Sequence, residues 1–451
     1  TNSAAAPTRP QSGSASLLSA RNATLESSHV HVLTMERPLG HYERYSLSRT
    51  LVGMPPALAF VATLPTAPQR SDVVQAIAVL LRRYPLLSCV VTDTRTTSPK
   101  FVAREFSAEE VVKVDATRGD GGGTTEEALL AGLGEAKRID VEEGPLWRVL
   151  YEPSSESARI VLAANHTVSD GAGCKALLAE LVLLIYHPEE IRIDTAGPTM
   201  ALTMESSVDV RPPVLLLLRE VFLELVAPRL PAFLQPTPSL PIYPSPALVT
   251  PHNQPTALRL AMFPSTIVAA LKAAGAAHGV ATIQPILHTC VIAALVTSSS
   301  ALPGPHNFII GTAISLRDPS LHPPATGNYV AALMTSTTSS PLSSDFWTLT
   351  RAYAKRLADP KERAWAKGTM GMLAYIPDGI EEGGTRWEAF LRKKMAAENP
   401  WMDSAGLSNL GAVRMPLDRV DVAWAQAAPA VGCFSLNVRK SPLYRVRVEE
   451  R

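Results

Sequence analysis

The chain has 451 residues, more than one ordinary core accommodates, which predicts two to three domains. Apolar residues make up 46% and charged residues 18%, the balance of a soluble globular protein, and a formal net charge of +1 gives no electrostatic footprint for nucleic acid. Four cysteines, Cys89, Cys174, Cys290 and Cys433, stand without C-x-x-C spacing in apolar contexts; they predict buried free thiols in a reducing compartment, with no zinc site or redox pair.

Residues 1–34, rich in Ser, Ala, Thr and Pro, have the composition of a disordered leader, and without a basic, apolar, small-residue signal the expectation is a cytoplasmic protein. Residues 35–190 read as the first folded unit. A strand is predicted over 57–64, then a helix capped by Ser71 with Val73, Val74, Ile77, Leu80 and Leu81 as its buried stripe. That helix ends at Tyr84-Pro85, and 86–91 resumes as a strand. The glycines of 119–123 lack the Gly-Lys-Ser/Thr ending of a phosphate loop and read as a surface loop, with Thr124 and Glu127 as a capping box for the next helix. Strands are predicted over 146–151 and 160–164.

Over 191–257 prolines crowd in, among them Pro212, Pro213, Pro228, Pro231 and Pro236, which marks a crossover rather than a core. It contains an apolar helix near 214–227 that is shorter than the ~20 residues a bilayer needs and carries Arg219, Glu220 and Glu224. This is an amphipathic helix, for which peripheral membrane contact stays open. The second unit, 258–451, reads as helices at 264–277, 282–296 and 344–357 with strands at 308–314, 328–335, 406–411 and 432–437. The order of elements resembles a repeat of the first half, and the fold class is α/β.

The stretch richest in chemistry is Asn165-His166-Thr167-Val168-Ser169-Asp170-Gly171-Ala172-Gly173, between an apolar strand and a helix whose Leu177, Leu178, Leu181, Leu184 and Ile185 recur at helical spacing. If 166–170 stayed extended at ~3.3 Å per residue, His166 and Asp170 would lie about 13 Å apart and could not cooperate. Gly171 and Gly173 permit a sharp turn, since glycine tolerates positive φ. A helical spacing would suit a metal, but the residues nearby leave a metal without enough ligands, so no metal is expected.

His166-Thr167-Val168-Ser169-Asp170-Gly171 resembles the H-x-x-x-D-G signature of the superfamily that includes chloramphenicol acetyltransferase, plant BAHD acyltransferases and the condensation domains of peptide synthetases. The nearer resemblance is to fungal alcohol O-acetyltransferases. Arg37-Pro38-Leu39-Gly40 with Glu43-Arg44-Tyr45, then Leu81-Arg82-Arg83-Tyr84-Pro85-Leu86-Leu87, Gly144-Pro145-Leu146-Trp147-Arg148-Val149 and Ser408-Asn409-Leu410-Gly411 look like that family's landmarks, in its order. Two departures separate the chain from other branches. Condensation domains carry two adjacent histidines where Asn165-His166 stands here, and the D-F-G-W-G segment of the plant enzymes is absent.

The resemblance implies two similar α+β two-layer sandwich lobes with the active site in a tunnel between them. It implies His166 as the base and an acyl-CoA, usually acetyl-CoA, as co-substrate, with no bound cofactor. The acceptor is a small hydroxyl-bearing alcohol or natural product entering from the other face. It also implies that Asp170, beside Gly171, is a structural residue paired with an Arg of the second lobe, matched here by Arg317. Ser408 and Asn409 are oxyanion candidates; Asn328, Tyr329 and His41 are tunnel candidates. A neutral imidazole suits the withdrawal of a hydroxyl proton, and no acyl-enzyme is needed, in keeping with the absence of a G-x-S-x-G elbow. The expectation is a monomeric transferase of secondary metabolism. The alternatives are a condensation-type enzyme using a carrier-protein thioester and a non-catalytic binding protein that retains the fold.

Overall fold

The computed structural model describes residues 35–114, 123–154, 157–190, 199–234, 240–243, 257–299, 304–338, 345–397, 402–427 and 434–440. The leader, most of the 119–123 loop and Cys433 lie outside these residues. In chain order the first half contains β1 (Glu36–Pro38), α1 (His41–Leu51), β2 (Ala57–Leu64), α2 (Arg70–Arg83), β3 (Cys89–Thr92), β4 (Lys100–Ala103), β5 (Val112–Val114), α3 (Thr125–Lys137), β6 (Trp147–Pro153), β7 (Ala158–Asn165) and α4 (Gly171–Tyr186).

β2 explains how this half is layered. Its residues are apolar or small on both faces: Leu58, Phe60, Ala62 and Leu64 join the core under α2 and α4, while Ala57, Ala59 and Val61 meet Leu129, Leu133 and Ala136 of α3. A strand covered on both sides reads as one continuous apolar run, as ALAFVATL does. The helix α3 lies close to the sheet because residue 132 is glycine; a Cβ there would stand 2.7 Å from Val161 Cγ1 and 3.0 Å from Ala59 Cβ.

α5 (Val214–Val221) lies in the crossover. The second half then contains α6 (Ser265–Ala277), α7 (Ile283–Ser299), β8 (Asn307–Ser315), β9 (Val330–Thr338), α8 (Phe346–Ala358), α9 (Pro360–Gly371), the short hairpin β10 (Ile380–Glu381) and β11 (Gly384–Thr385), α10 (Arg386–Met395), β12 (Ala405–Ala412), β13 (Asp421–Gln426) and β14 (Ser435–Lys440). β8, β9, β12 and β14 form a sheet in the order β14-β12-β8-β9. Ile310, Leu407, Ile314 and Leu333 bury one face of it against α7, α8 and α9. On β8 the alternate residues Gly311 and Ala313 occupy the opposite face.

The second half contributes one strand to the sheet of the first. The first sheet has the order β13-β2-β7-β6-β5, with β13 antiparallel to β2 from Asp421 opposite Thr63 to Gln426 opposite Leu58. Arg439 of β14 pairs with Asp421 at 2.9 Å, and Gln426 Nε2 donates to Ser435 Oγ at 3.0 Å, so the lobes are tied where this strand crosses. The result is a pair of α/β lobes with the motif loop at their junction. Among the described residues no helix is long and apolar enough to cross a membrane.

Several local expectations are corrected. α2 starts at Arg70 with Gln69 as its cap, since Asp72 reaches back to the Gln69 N–H; Ser71 lies inside the helix. Pro85 opens a 3-10 turn to Ser88, so the following strand begins only at Cys89. Cys89 and Cys174 are buried, whereas Cys290 is exposed, because α7 turns Ile286, Thr289 and Ile292 to the core and Cys290 away from it.

Candidate active site

The motif loop joins β7, the strand of the first sheet between β2 and β6, to α4. Asn165, fully buried, shapes it: Oδ1 accepts from the Thr167 N–H at 2.9 Å and from Thr167 Oγ1 at 2.7 Å. The Gly327 N–H donates to Val168 O at 2.9 Å, and Ser169 bridges Gly327, so backbone of the second lobe holds the turn from the other side. Gly327 has φ +84°, a conformation that favours glycine, and a Cβ there would strike the Tyr329 ring at 2.7 Å.

Asp170 is fully engaged away from His166. Its Oδ1 caps α4 by accepting from the Gly173 N–H at 2.8 Å. Its Oδ2 accepts from Arg317 Nη2 at 3.0 Å and from the Tyr329 N–H at 2.9 Å. Arg317 also donates to the carbonyls of Thr326 and Gly327, both at 2.9 Å, and to Pro323 O, so the guanidinium clamps the loop before β9 to the first lobe. Both side chains are buried, the setting in which an ion pair is costly to break. The glycines next to Asp170 serve packing rather than a positive φ. Both lie in the first turn of α4, and a Cβ on Gly173 would strike Ser169 Oγ and stand 3.0 Å from Arg317 Nη2.

His166 projects from this turn with its ring edge-on to Tyr42, centroids 5.7 Å apart. Its Nδ1 lies 2.9 Å from Asn328 Oδ1. The other end of that amide donates to His166 O at 2.8 Å and Thr167 O at 3.0 Å. Carbonyls only accept, so the atom facing them is the NH2 and the atom facing His166 is the oxygen. Nδ1 therefore carries the proton, and Nε2 keeps its lone pair. Burial, the largest influence, pushes the imidazole below its usual 6.5 and Arg49 adds to this, while Asp170 and the Asn328 hydrogen bond oppose. Burial thus favours the neutral form of the ring.

The ring opens on a cavity of about 130 Å³ lined by Tyr42, Tyr45, Arg49, Pro56, His166 and Gln426. This is smaller than the ~300–1,000 Å³ of a typical small-molecule site, so it accommodates only the reacting end of a substrate. Burial pushes the Tyr42 hydroxyl up to about 12, which keeps it a hydrogen-bond donor.

The other predicted residues divide. Asn328 lies against His166, but Tyr329 is fully buried with its hydroxyl donating to Leu202 O at 2.7 Å, so it supports Arg317 rather than lining a tunnel. His41 is also displaced: its ring runs parallel to Trp387, and it is Tyr42 that meets His166. Asn409 turns to α7, with its Nδ2 donating to Gln284 Oε1 at 2.9 Å and its Oδ1 accepting from the Gly411 N–H. Ser408 alternates with the core residue Leu407 and so lies on the opposite face of β12. Gly171 is the first residue of α4, and a Cβ there would stand 3.4 Å from Leu410 Cδ2.

Sequence reasoning missed Tyr42, Tyr45 and Arg49, although their spacing of three and four residues is that of one helix face. It also missed Asp403, just before β12. Burial pushes that carboxyl up to about 7, its Oδ1 makes no hydrogen bond, and its Oδ2 lies 3.5 Å from where a Cβ of Gly311 would be. Among the described residues no three His, Cys, Asp or Glu side chains converge as a metal site.

No protein-family model matches the chain, and no curated protein matches it in sequence. Solved structures do match it in fold. Polyketide synthase associated protein 5 from Mycobacterium tuberculosis is 13% identical over 89% of this chain and 90% of its own, with a TM-score of 0.56. The trichothecene 15-O-acetyltransferase from Fusarium sporotrichioides is 11% identical over 90% and 88%, with a TM-score of 0.56. The condensation domain of the Monacolin K polyketide synthase MokA is 12% identical over 87% and 86%, with a TM-score of 0.52. The chain thus shares the two-lobe fold of these solved structures.

Proposed function

We propose that the chain is an acyltransferase that moves an acyl group from an acyl-CoA, acetyl-CoA first among them, directly to the hydroxyl of a small alcohol or natural product. The observation that carries this reading is the Asn328 amide against Nδ1 of His166, which leaves Nε2 as the basic nitrogen of a histidine that lines a cavity between α1 and the end of β13. In this reading residues 35–190 and 258–451 are the two acyltransferase lobes, and the proline-rich crossover 191–257 connects them.

The chemistry follows from the residues. Nε2 takes the proton of the acceptor hydroxyl as its oxygen bonds to the thioester carbonyl carbon, help that typically contributes ~10²–10⁴-fold. The C–S bond then breaks, and the thiolate, whose thiol has a pKa of about 8.5, leaves readily and takes the same proton from the imidazolium. Ser408 and Asn409 are the candidates to donate to the oxyanion. Asp170 and Arg317 hold the loop in place and do not touch the reacting atoms. Mass-spectrometric detection of acetyl esters after incubation with acetyl-CoA and a panel of alcohols supports the reading; no ester with any alcohol or acyl-CoA counts against it.

The likeness to a condensation domain favours a second reading, in which the donor is a carrier-protein thioester. Turnover with an acyl-carrier protein but not with free acyl-CoA selects it.

A further inference from the structure

Outside the site, the feature that acyl transfer does not use is the helix of the crossover. α5 continues through a π-helical turn, Phe222–Val226, to give about 13 residues, or ~20 Å at 1.5 Å per residue. It hangs on the second lobe by a narrow seam. Within α5 only Leu216 is buried, lodged against Gly368 of α9, where a Cβ would stand 3.2 Å from Leu216 Cδ2 and 2.5 Å from Pro213 Cδ.

Leu217 and Leu223 are half-buried, and most of the remaining apolar side chains face outward. Val214, Leu218, Phe222 and Leu225 recur at helical spacing along one exposed stripe, Leu215 is 70% exposed, and Phe233 just beyond the helix is 83% exposed. A contiguous exposed apolar strip of this kind marks an interaction surface.

The charges around it favour one kind of partner. Each acid beside the strip already has a cation: Asp209 accepts from Arg211 at 2.8 Å, Glu220 pairs with Arg219, and Glu224 with Lys393 at 2.6 Å. Arg229 and Lys394 add further positive charge, and the last turn of α10 is Arg392-Lys393-Lys394. An apolar stripe with a cationic rim is the pattern of a helix that lies in a lipid interface and is drawn to anionic headgroups. A second copy of the chain fits less well, because a strip ~20 Å long and ~10 Å wide is far below the ~800 Å² per partner of a stable interface.

We propose that α5 and the segment to Phe233 form a peripheral docking surface for an anionic membrane, the helix lying in the plane with Leu215, Leu218, Phe222, Leu225 and Phe233 in the headgroup–acyl boundary. This does not depend on the acyl-transfer reading.

The test is co-sedimentation of the full chain with phosphatidylcholine vesicles, with and without phosphatidylserine. Wild type binds the phosphatidylserine vesicles, less so as salt rises, and Leu215→Glu with Leu218→Glu lowers the partition coefficient at least about tenfold. Both leucines are exposed, so the melting temperature stays at the wild-type value, and Lys394→Glu, which leaves the apolar strip intact, weakens binding only to the anionic vesicles. Wild type that stays in the supernatant with both vesicles overturns the proposal. So does a double variant that binds as well as wild type, or a lipid-free dimer in analytical ultracentrifugation that the double variant abolishes.

Discussion

Asn328 grips both ends of the catalytic candidate: its amide nitrogen donates to the His166 carbonyl at 2.8 Å while its amide oxygen stands 2.9 Å from the ring's Nδ1. One side chain from the second lobe thus fixes the tautomer of a histidine in the first.

Asn328→Ala should lower kcat by about tenfold, the worth of one net hydrogen bond of ~1 kcal/mol or somewhat more, with acceptor KM little changed. Steady-state kinetics check this. An unchanged kcat with a raised KM would assign Asn328 to binding instead.

The Asp170–Arg317 pair predicts a stability effect separable from catalysis. Asp170→Ala strands a buried guanidinium and should cost ~3–5 kcal/mol, read as a fall in melting temperature alongside lost activity. Arg317→Ala should behave alike, and the double variant should cost less than the sum. Gly173→Ala should also destabilise, by ~1–3 kcal/mol, because its methyl group would crowd Ser169 and Arg317. His166→Ala should leave the melting temperature nearly unchanged.

The acid limb of the pH–rate profile should lie below 6.5. In the proposed mechanism the base works as neutral imidazole, and burial favours that form, so activity should persist as pH falls through the range where an ordinary histidine protonates. A limb in kcat/KM at or above 6.5 would contradict the assignment.

Asp403 makes stability depend on pH in the opposite sense to a salt-bridged carboxylate. Its folded pKa, about 7, is above the ordinary 3.8, so its contribution is fully present below pH 4 and is lost as pH rises towards 7. Asp403→Asn should remove that slope and gain on the order of 1–3 kcal/mol at pH 8 relative to wild type. Denaturant melts at pH 5 and pH 8 measure it; a slope that persists in the variant would contradict the burial argument.

Much of the fold was legible because its strongest signals are local. The buried run of β2, the capping box at Thr124 and the strand–turn–helix around His166 each declare themselves within a dozen residues. The Asp170–Arg317 contact was readable only through resemblance, since it joins residues 147 apart. What stayed hidden depends on tertiary neighbours. β13 is a short segment whose place beside β2 no local pattern encodes, and Asn328, Tyr42 and Asp403 gain meaning only from the groups facing them. The setting of Asn409 was hidden for the same reason: β12 has a register irregularity between Asn409 and Ala412, and the side chain accepts from the Gly411 N–H within it.

The measurement closest to the central claim is the rate of CoA thiol release from acetyl-CoA in the presence of an accepted alcohol, for wild type and for His166→Ala at equal folded concentration. The account predicts a loss of ~10²–10⁴-fold in the variant with its melting temperature retained. Equal rates for the two proteins would contradict it.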